Sequence, residues 1–385
     1  MRAALQEEMA KMNFAMPVMP LLSEYLRAQG SLNGKAIGWH CHLTEITALA
    51  ADALLEAGAK LYLSECNPET SNADSIEYMR EAGATVYCGE DSPEKVLQHK
   101  PRVLSDTGFV LTRAYLNSSH LNEGFVFGGN EITTSGITSA RELDKCPIPV
   151  LDINTGEIKT HVENYHGVAD GVMDLLAHLT GKIWTGHEVC VIGYGTVGRG
   201  VAAYLRRAGA SVTVVDNDPV KNLIAHYDGY ALDNLGNAIA RAALIITATG
   251  KRGIIGASEW TNARDGALFV NVGHWATELD TEALHAAAAS ASQFSPFITE
   301  YKMKSGKRLY VVAEGGPANV VTLAGSCEPC LIHLTTEILC MNYLLDIDCK
   351  GVAINPGVQT VPAFIERTAA ELALRALNLS NNVVK

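Results

Sequence analysis

Glu188-Val-Cys-Val-Ile192-Gly193-Tyr194-Gly195-Thr196-Val197-Gly198 is the stretch on which the fold turns. The apolar run to Ile192 reads as a buried strand, and the helical pattern from Gly198 to Ala208 follows at once. Between them the spacing G-x-G-x-x-G assigns each glycine a task. Gly193 allows a tight turn, Gly195 lets backbone approach a pyrophosphate, and Gly198 permits close packing of helix on strand. The free N–H groups at the helix start, around Thr196 and Val197, and the positive end of its dipole suit a phosphate. Asp216 lies eighteen residues beyond Gly198, after the strand Ser211–Val215. A carboxylate there accepts hydrogen bonds from an adenosine ribose, which predicts NAD in preference to NADP.

Working outward, Tyr230–Leu232, Ala243–Thr247 and Leu268–Asn271 continue the strand series. Thr247-Ala-Thr249-Gly250 puts small residues after one strand, where a cofactor passes. Asn271-Val-Gly-His274 ends another, at the edge where doubly wound sheets place ligand-contacting loops. A second series begins at Gly34. Lys35–Trp39, Ala59–Ser64 and Ala84–Tyr87 read as strands, and Thr44–Ala57 as a helix stopped by Gly58. Val103–Leu104 and Gly124–Phe127 are further strand candidates. This βαβαβ order predicts an α/β chain of two doubly wound, Rossmann-like domains with mainly parallel sheets, joined by hinge helices near Glu163 to Thr185. The expected division is 1–163 for substrate, completed by about 326–360, then 164–325 for NAD, and 361–385 as a short helical tail.

The 385 residues suffice for two cores, and 48% hydrophobic against 19% charged residues fits a folded enzyme. A net charge of −12 argues against a nucleic-acid surface. No stretch of about 18 apolar residues runs without a charge, so no membrane span is expected. Nine scattered cysteines predict reduced thiols in a cytoplasm. Cys327-Glu-Pro-Cys330 has C-x-x-C spacing, but no second pair accompanies it, so it predicts structural or pocket-lining thiols and no metal.

In the first domain His42 and Thr44 open a helix, Asp106 follows a strand, and Glu131-Ile132-Thr133-Thr134-Ser135-Gly136 is rich in hydroxyls. Lys159 and Glu163 stand four apart, so on a helix they share a face and can exchange a proton or hold a charge pair. In order, these elements resemble the S-adenosylhomocysteine hydrolase family from about Ile37 to Asn342. The matches are His42-Leu-Thr44, Ser64-Glu-Cys-Asn67, Ser105-Asp106-Thr-Gly108, Thr133-Thr-Ser-Gly136, Asn154 with Lys159, and Glu163-Asn164. The glycine loop, Asn271-Val-Gly-His274, and Ala313-Glu-Gly315 with Asn319 complete the set.

The resemblance implies transient oxidation of a nucleoside at C3′ by bound NAD, with Lys159 taking the hydroxyl proton and Glu163 and Asn154 tuning it. A C3′ ketone acidifies the C4′ proton, so the 5′ substituent leaves by β-elimination. His42 and Asp106 would handle protons at C5′, and His274 and Asn319 would fix nicotinamide and sugar. Thr133, Thr134, Ser135, Asn164, Thr247, Thr249 and Asn271 are implied near the cofactor. Thr44, Glu45, Thr47, Ile132 and Ser326 are implied near the substrate, an adenine nucleoside, in a homo-oligomer, a dimer or tetramer. The chain departs from the family pattern where substrate is held. Ile132 stands for a glutamate that grips ribose hydroxyls, Ile46 for a polar residue near the adenine, and Gly325-Ser326-Cys327-Glu-Pro-Cys330 for Gly-His-Pro. The aspartate of the family is Glu163 here. Retained machinery with a rebuilt pocket leaves three readings: elimination of a 5′ leaving group, such as water, from a modified adenine nucleoside, hydrolysis of S-adenosylhomocysteine, or a silent NAD-binding regulator.

Overall fold

Short apolar runs become parallel strands when helices cover both faces of the sheet they join. The structure, a computed structural model, describes residues 2–143, 146–273, 276–322 and 324–379. Contacts divide it into unit 1, Met1–Glu163 with Cys327–Lys385, and unit 2, Asn164–Ser326.

Unit 1 begins with β1 (Ala36–Cys41), β2 (Lys60–Glu65), β3 (Thr85–Tyr87), β4 (Val103–Asp106), β5 (Gly128–Glu131) and β6 (Pro149–Asp152). They lie parallel in the order β6-β5-β4-β1-β2-β3. The chain runs from β1 outward through β2 and β3, then returns to β4 on the other side. Loops after β1 and β4 therefore diverge and open a crevice at the carboxyl ends of these strands. His42 follows β1 and Asp106 closes β4, so the topology brings both to that crevice.

The strand expected at Gly124–Phe127 instead starts at Gly128. A Cβ on Gly128 would stand 2.9 Å from Pro149 Cγ, and one on Gly129 would stand 2.6 Å from the Leu104 carbonyl oxygen. Close approach selects glycine there over the β-branched residues that mark strands in sequence. Phe125 packs against Tyr115 and His120.

Unit 2 contains β7 (Glu188–Ile192), β8 (Ser211–Val215), β9 (Ala231–Leu232), β10 (Leu244–Thr247), β11 (Ala267–Asn271), β12 (Ala288–Ser295), β13 (Ile298–Met303) and β14 (Arg308–Val312). The order is β12-β13-β14-β11-β10-β7-β8-β9, parallel from β9 to β14, with β13 and β12 antiparallel at one edge. Its switch point lies between β7 and β10, so the glycine loop and Thr247–Gly250 flank it. After unit 2, β15 (Gly357–Thr360) pairs with β6 and completes the seven-stranded sheet of unit 1.

The 22-residue helix Glu328–Cys349 forms the heart of unit 1. By length and composition it could cross a membrane, although the sequence suggested no such segment. Within unit 1, however, 83% of the relevant window is buried. A helix apolar on every side needs cover on every side, and here β4, β5 and neighbouring helices supply it. Residues Ile158–Gly167 form a wide π-type helix, and Val168–Thr180 is α-helical, as the hinge reading expects. The helix Ala363–Ala376 of the tail packs on Glu328–Cys349. All nine cysteines are free thiols.

Candidate active site and cofactor site

In unit 2 the glycine loop takes the shape its spacing demands. Gly193 has φ +95°, and an added Cβ would lie 2.6 Å from the Ala248 carbonyl oxygen. A Cβ on Gly198 would collide with the Gly193 carbonyl. At Gly195 a Cβ would meet no atom within 4 Å, so this is where the loop opens to a ligand. Gly195 also caps the twelve-residue helix Thr196–Arg207 without a side-chain bond, which leaves the first N–H groups free for a phosphate. Asp216 Oδ2 accepts from the Tyr194 N–H at 2.7 Å and Oδ1 from the Asp218 N–H at 2.9 Å, which fixes the carboxylate beside the loop. Asn164 Nδ2 donates to Thr196 Oγ1 at 3.4 Å.

The loop after β10 is held from below by a residue that motif reading missed. Glu278 is fully buried and accepts from Thr249 N–H (3.0 Å), Thr249 Oγ1 (2.8 Å) and Gly250 N–H (2.7 Å). Burial raises its pKa against those bonds. Thr247 Oγ1 donates to Asn271 Oδ1 at 3.2 Å, and Asn271 Nδ2 donates to the Gly315 carbonyl at 2.9 Å. Asn319 Oδ1 is buried without a hydrogen-bond partner among the described residues, as suits a side chain that meets a ligand. The open glycine, uncapped helix, placed aspartate and orphaned amide together fit a dinucleotide. His274 lies outside the described residues.

In unit 1 His42 Nδ1 is 2.7 Å from Thr70 Oγ1, so its ring is oriented at the crevice. Thr44 caps the helix Glu45–Glu56, and Thr47 Oγ1 donates to the His42 carbonyl at 2.5 Å. Thr47 and Thr70 therefore brace His42. Glu45 Oε1 accepts from Asn72 Nδ2 at 2.6 Å.

Asp106 proves to be a helix cap. Oδ1 accepts from Val110 and Leu111 N–H at 3.0 and 3.2 Å, Oδ2 from Thr112 N–H at 2.6 Å, and the residue is fully buried. A carboxylate shielded and occupied in this way orders the helix Val110–Asn117. The sequence expects Asp106 to handle protons at C5′; in the structure both of its carboxylate oxygens are taken up by helix N–H groups. Glu131 makes a parallel case. It accepts from Gly108, Phe109 and Thr133 N–H and from Thr133 Oγ1. Burial and Asp106 push it up to about 8, against four bonds that favour the carboxylate. Thr133 also caps the helix Thr134–Arg141, and Ser135 Oγ is 3.2 Å from Thr133 Oγ1.

Lys159 Nζ lies 2.6 Å from Glu163 Oε2, with side chains 11% and 18% exposed. The wide helix keeps the pair on one face. Thr134 Oγ1 donates to Asn154 Oδ1 at 3.0 Å, tying the hydroxyl-rich loop to the segment before Lys159. Ile132 and Ile46 pack on the unit 1 core. Ser326 is exposed in unit 2, its N–H bonded to Asp170 Oδ2 at 2.9 Å. Also absent from the motif reading are His333 and Glu337, both buried in the helix Glu328–Cys349. Their signal is two titratable residues at helical spacing inside an apolar run.

Residues 164–325 match the family model described as S-adenosyl-L-homocysteine hydrolase, NAD binding domain. Over 383 residues the chain is 30% identical to the S-inosyl-L-homocysteine hydrolase of Methanopyrus kandleri, covering 94% of this chain and 88% of that one. It is 30% identical over 391 residues to the adenosylhomocysteinase of Thermotoga maritima, with 96% and 94% covered. With the adenosylhomocysteinase of Sulfolobus acidocaldarius it shares 29% over 376 residues, with 94% and 89% covered. Likeness over nearly the whole length, together with a loop shaped for NAD, makes this chain an NAD-binding member of the S-adenosylhomocysteine hydrolase family.

Proposed function

We propose that the chain oxidises C3′ of a purine nucleoside transiently and eliminates the 5′ substituent as water, acting as a nucleoside dehydratase. The largely shielded Lys159–Glu163 pair carries the oxidation at C3′, because a 2.6 Å contact lets a proton shuttle between amine and carboxylate. NAD, when bound, supplies reversible hydride acceptance at C3′. Lys159 takes the proton of the 3′-hydroxyl, and Glu163 holds the ammonium that results. Asn154, fixed by Thr134, orients this end of the site. Once C3′ is a ketone, the C4′ proton is acidic. His42 takes that proton and passes it to the departing hydroxyl, so the electron pair settles between C4′ and C5′ as the C5′–O bond breaks and water leaves. Lys159 then returns its proton to the C3′ oxygen as the ketone is reduced again, which leaves the 3′-alcohol beside a new alkene.

Stopping before water addition is favoured by the commitment of Asp106 to its helix, which leaves His42 as the candidate acid–base at C5′. Ile132 and Ile46 likewise remove polar contacts where the family pattern has them.

A second reading, hydrolysis of a purine nucleoside thioether of homocysteine, is favoured by the activities named for the relatives. The test is to incubate purified protein with S-adenosylhomocysteine, S-inosylhomocysteine and 5′-hydroxy or branched-sugar adenine nucleosides. Dehydration appears as loss of one water by mass, and hydrolysis as free thiol. Thiol release at a competent rate sinks the dehydratase.

A further inference from the structure

Three polar side chains on the helix Glu328–Cys349 have no part in the chemistry above. Cys330, His333 and Glu337 are spaced i, i+3 and i+7, so they share one face. Glu337 Oε1 accepts from Trp39 Nε1 of β1 at 2.7 Å and lies 2.6 Å from Ser105 Oγ of β4. That anchors the stripe beside the switch point of the unit 1 sheet, the crevice to which His42 also belongs. Glu337 Oε2 is buried with no hydrogen-bond partner among the described residues. One turn earlier His333 is 2% exposed, and neither ring nitrogen has a partner there.

Lys159 acts on all three groups. Its charge lowers the Cys330 thiol and the Glu337 carboxyl against burial that raises them, and adds to the burial that depresses His333. The stripe therefore borders the Lys159–Glu163 pair, and the imidazole is neutral, with one donor and one acceptor. Each orphaned polar atom costs about 1–3 kcal/mol when buried. A sequence that needed only a core would put leucine or phenylalanine at these places.

We propose that His333, together with Glu337 Oε2, is a recognition subsite that hydrogen-bonds the polar edge of the purine and decides which nucleoside is accepted. The inference rests on the nucleoside reading of the preceding section. Adenine offers an acceptor at N1 beside a donor amino group, and hypoxanthine a donor at N1 beside an acceptor oxygen. An imidazole held in one tautomer beside a carboxyl group in one protonation state presents a single order of donor and acceptor. That order matches one of these edges and rejects the partner that leaves it unpaired.

The test uses the full chain with NAD bound, as wild type, His333→Phe and Glu337→Gln. Adenosine, inosine and purine riboside, which lacks the six-position group, are the probes. Water loss by mass gives KM and kcat, the absorbance of bound reduced NAD reports the oxidation step, and a thermal scan gives the midpoint. The expected result is that His333→Phe raises KM at least about tenfold for the preferred nucleoside and leaves purine riboside unchanged. Its thermal midpoint holds or rises, since two orphaned atoms are gone. Equal KM changes for all three probes, or an unchanged preference with a lowered midpoint, would mean a structural histidine and would overturn the proposal. If His333→Phe does not fold, His333→Gln decides: an altered adenosine-to-inosine ratio supports the subsite, and an unaltered one overturns it. Wild type that reduces NAD with none of the probes overturns the nucleoside reading and the subsite with it.

Discussion

Lys159 and Glu163 stand in contact inside unit 1, largely out of water. An acid–base pair so placed predicts that Lys159→Ala lowers turnover by about 10²–10⁴, measured as the rate of change in bound-cofactor absorbance on adding nucleoside. A turnover within a few-fold of wild type would remove the lysine from the mechanism. Glu337 yields a stability prediction. Burial pushes it up to about 7 from an ordinary 4.5, so the folded state binds its proton more tightly than the unfolded state. Its contribution is therefore complete below about 4.5 and is lost as pH rises through about 7. The loss is roughly 3 kcal/mol in all. Urea midpoints of the wild type should fall over this window, and Glu337→Gln should flatten the fall. An equal slope in both proteins would show the carboxyl already ionised. The glycine-loop geometry and the contact of Lys159 with Glu163 were legible from spacing. The surroundings of Asp106, Glu278, His333 and Glu337 were not, because each depends on which polar groups the fold brings to it.

At the scale of elements, two local devices carry the site. Asp106 holds three N–H groups of the helix Val110–Asn117, so Asp106→Ala should cost about 2 kcal/mol in chemical unfolding, toward the upper end for a cap. Turnover per folded molecule should survive. Complete loss of turnover in the folded variant would restore Asp106 to the chemistry. Gly193 combines φ +95° with a carbonyl oxygen 2.6 Å from any Cβ. Gly193→Ala is expected to abolish the thermal stabilisation that added NAD gives the wild type. Strands were read correctly where β-branched residues mark them, as in β7 and β8. The reading failed at β5, where proximity to Leu104 and Pro149 requires glycine.

At the scale of the molecule, unit 2 is one continuous segment with its own cores, whereas unit 1 needs residues from both sides of it. A fragment of residues 164–326 should fold cooperatively and bind NAD, seen by circular dichroism and a ligand-dependent thermal midpoint. Residues 1–163 alone should not, because the helix Glu328–Cys349 at their core is missing. Cooperative unfolding of that shorter piece would contradict the division.

The stretch from Glu188 to Gly198 by itself determined a strand, a phosphate-binding turn and a helix. Each glycine there answers a constraint set by its immediate neighbours. The order of the remaining motifs determined the family in the same way. Only the tertiary structure decided which polar groups are occupied and which are left without partners. Asp106 holds three helix N–H groups, while both nitrogens of His333 lack a partner among the described residues. Hydrogen-bond saturation depends on how the chain folds around each polar group, and residue order along the chain does not record it.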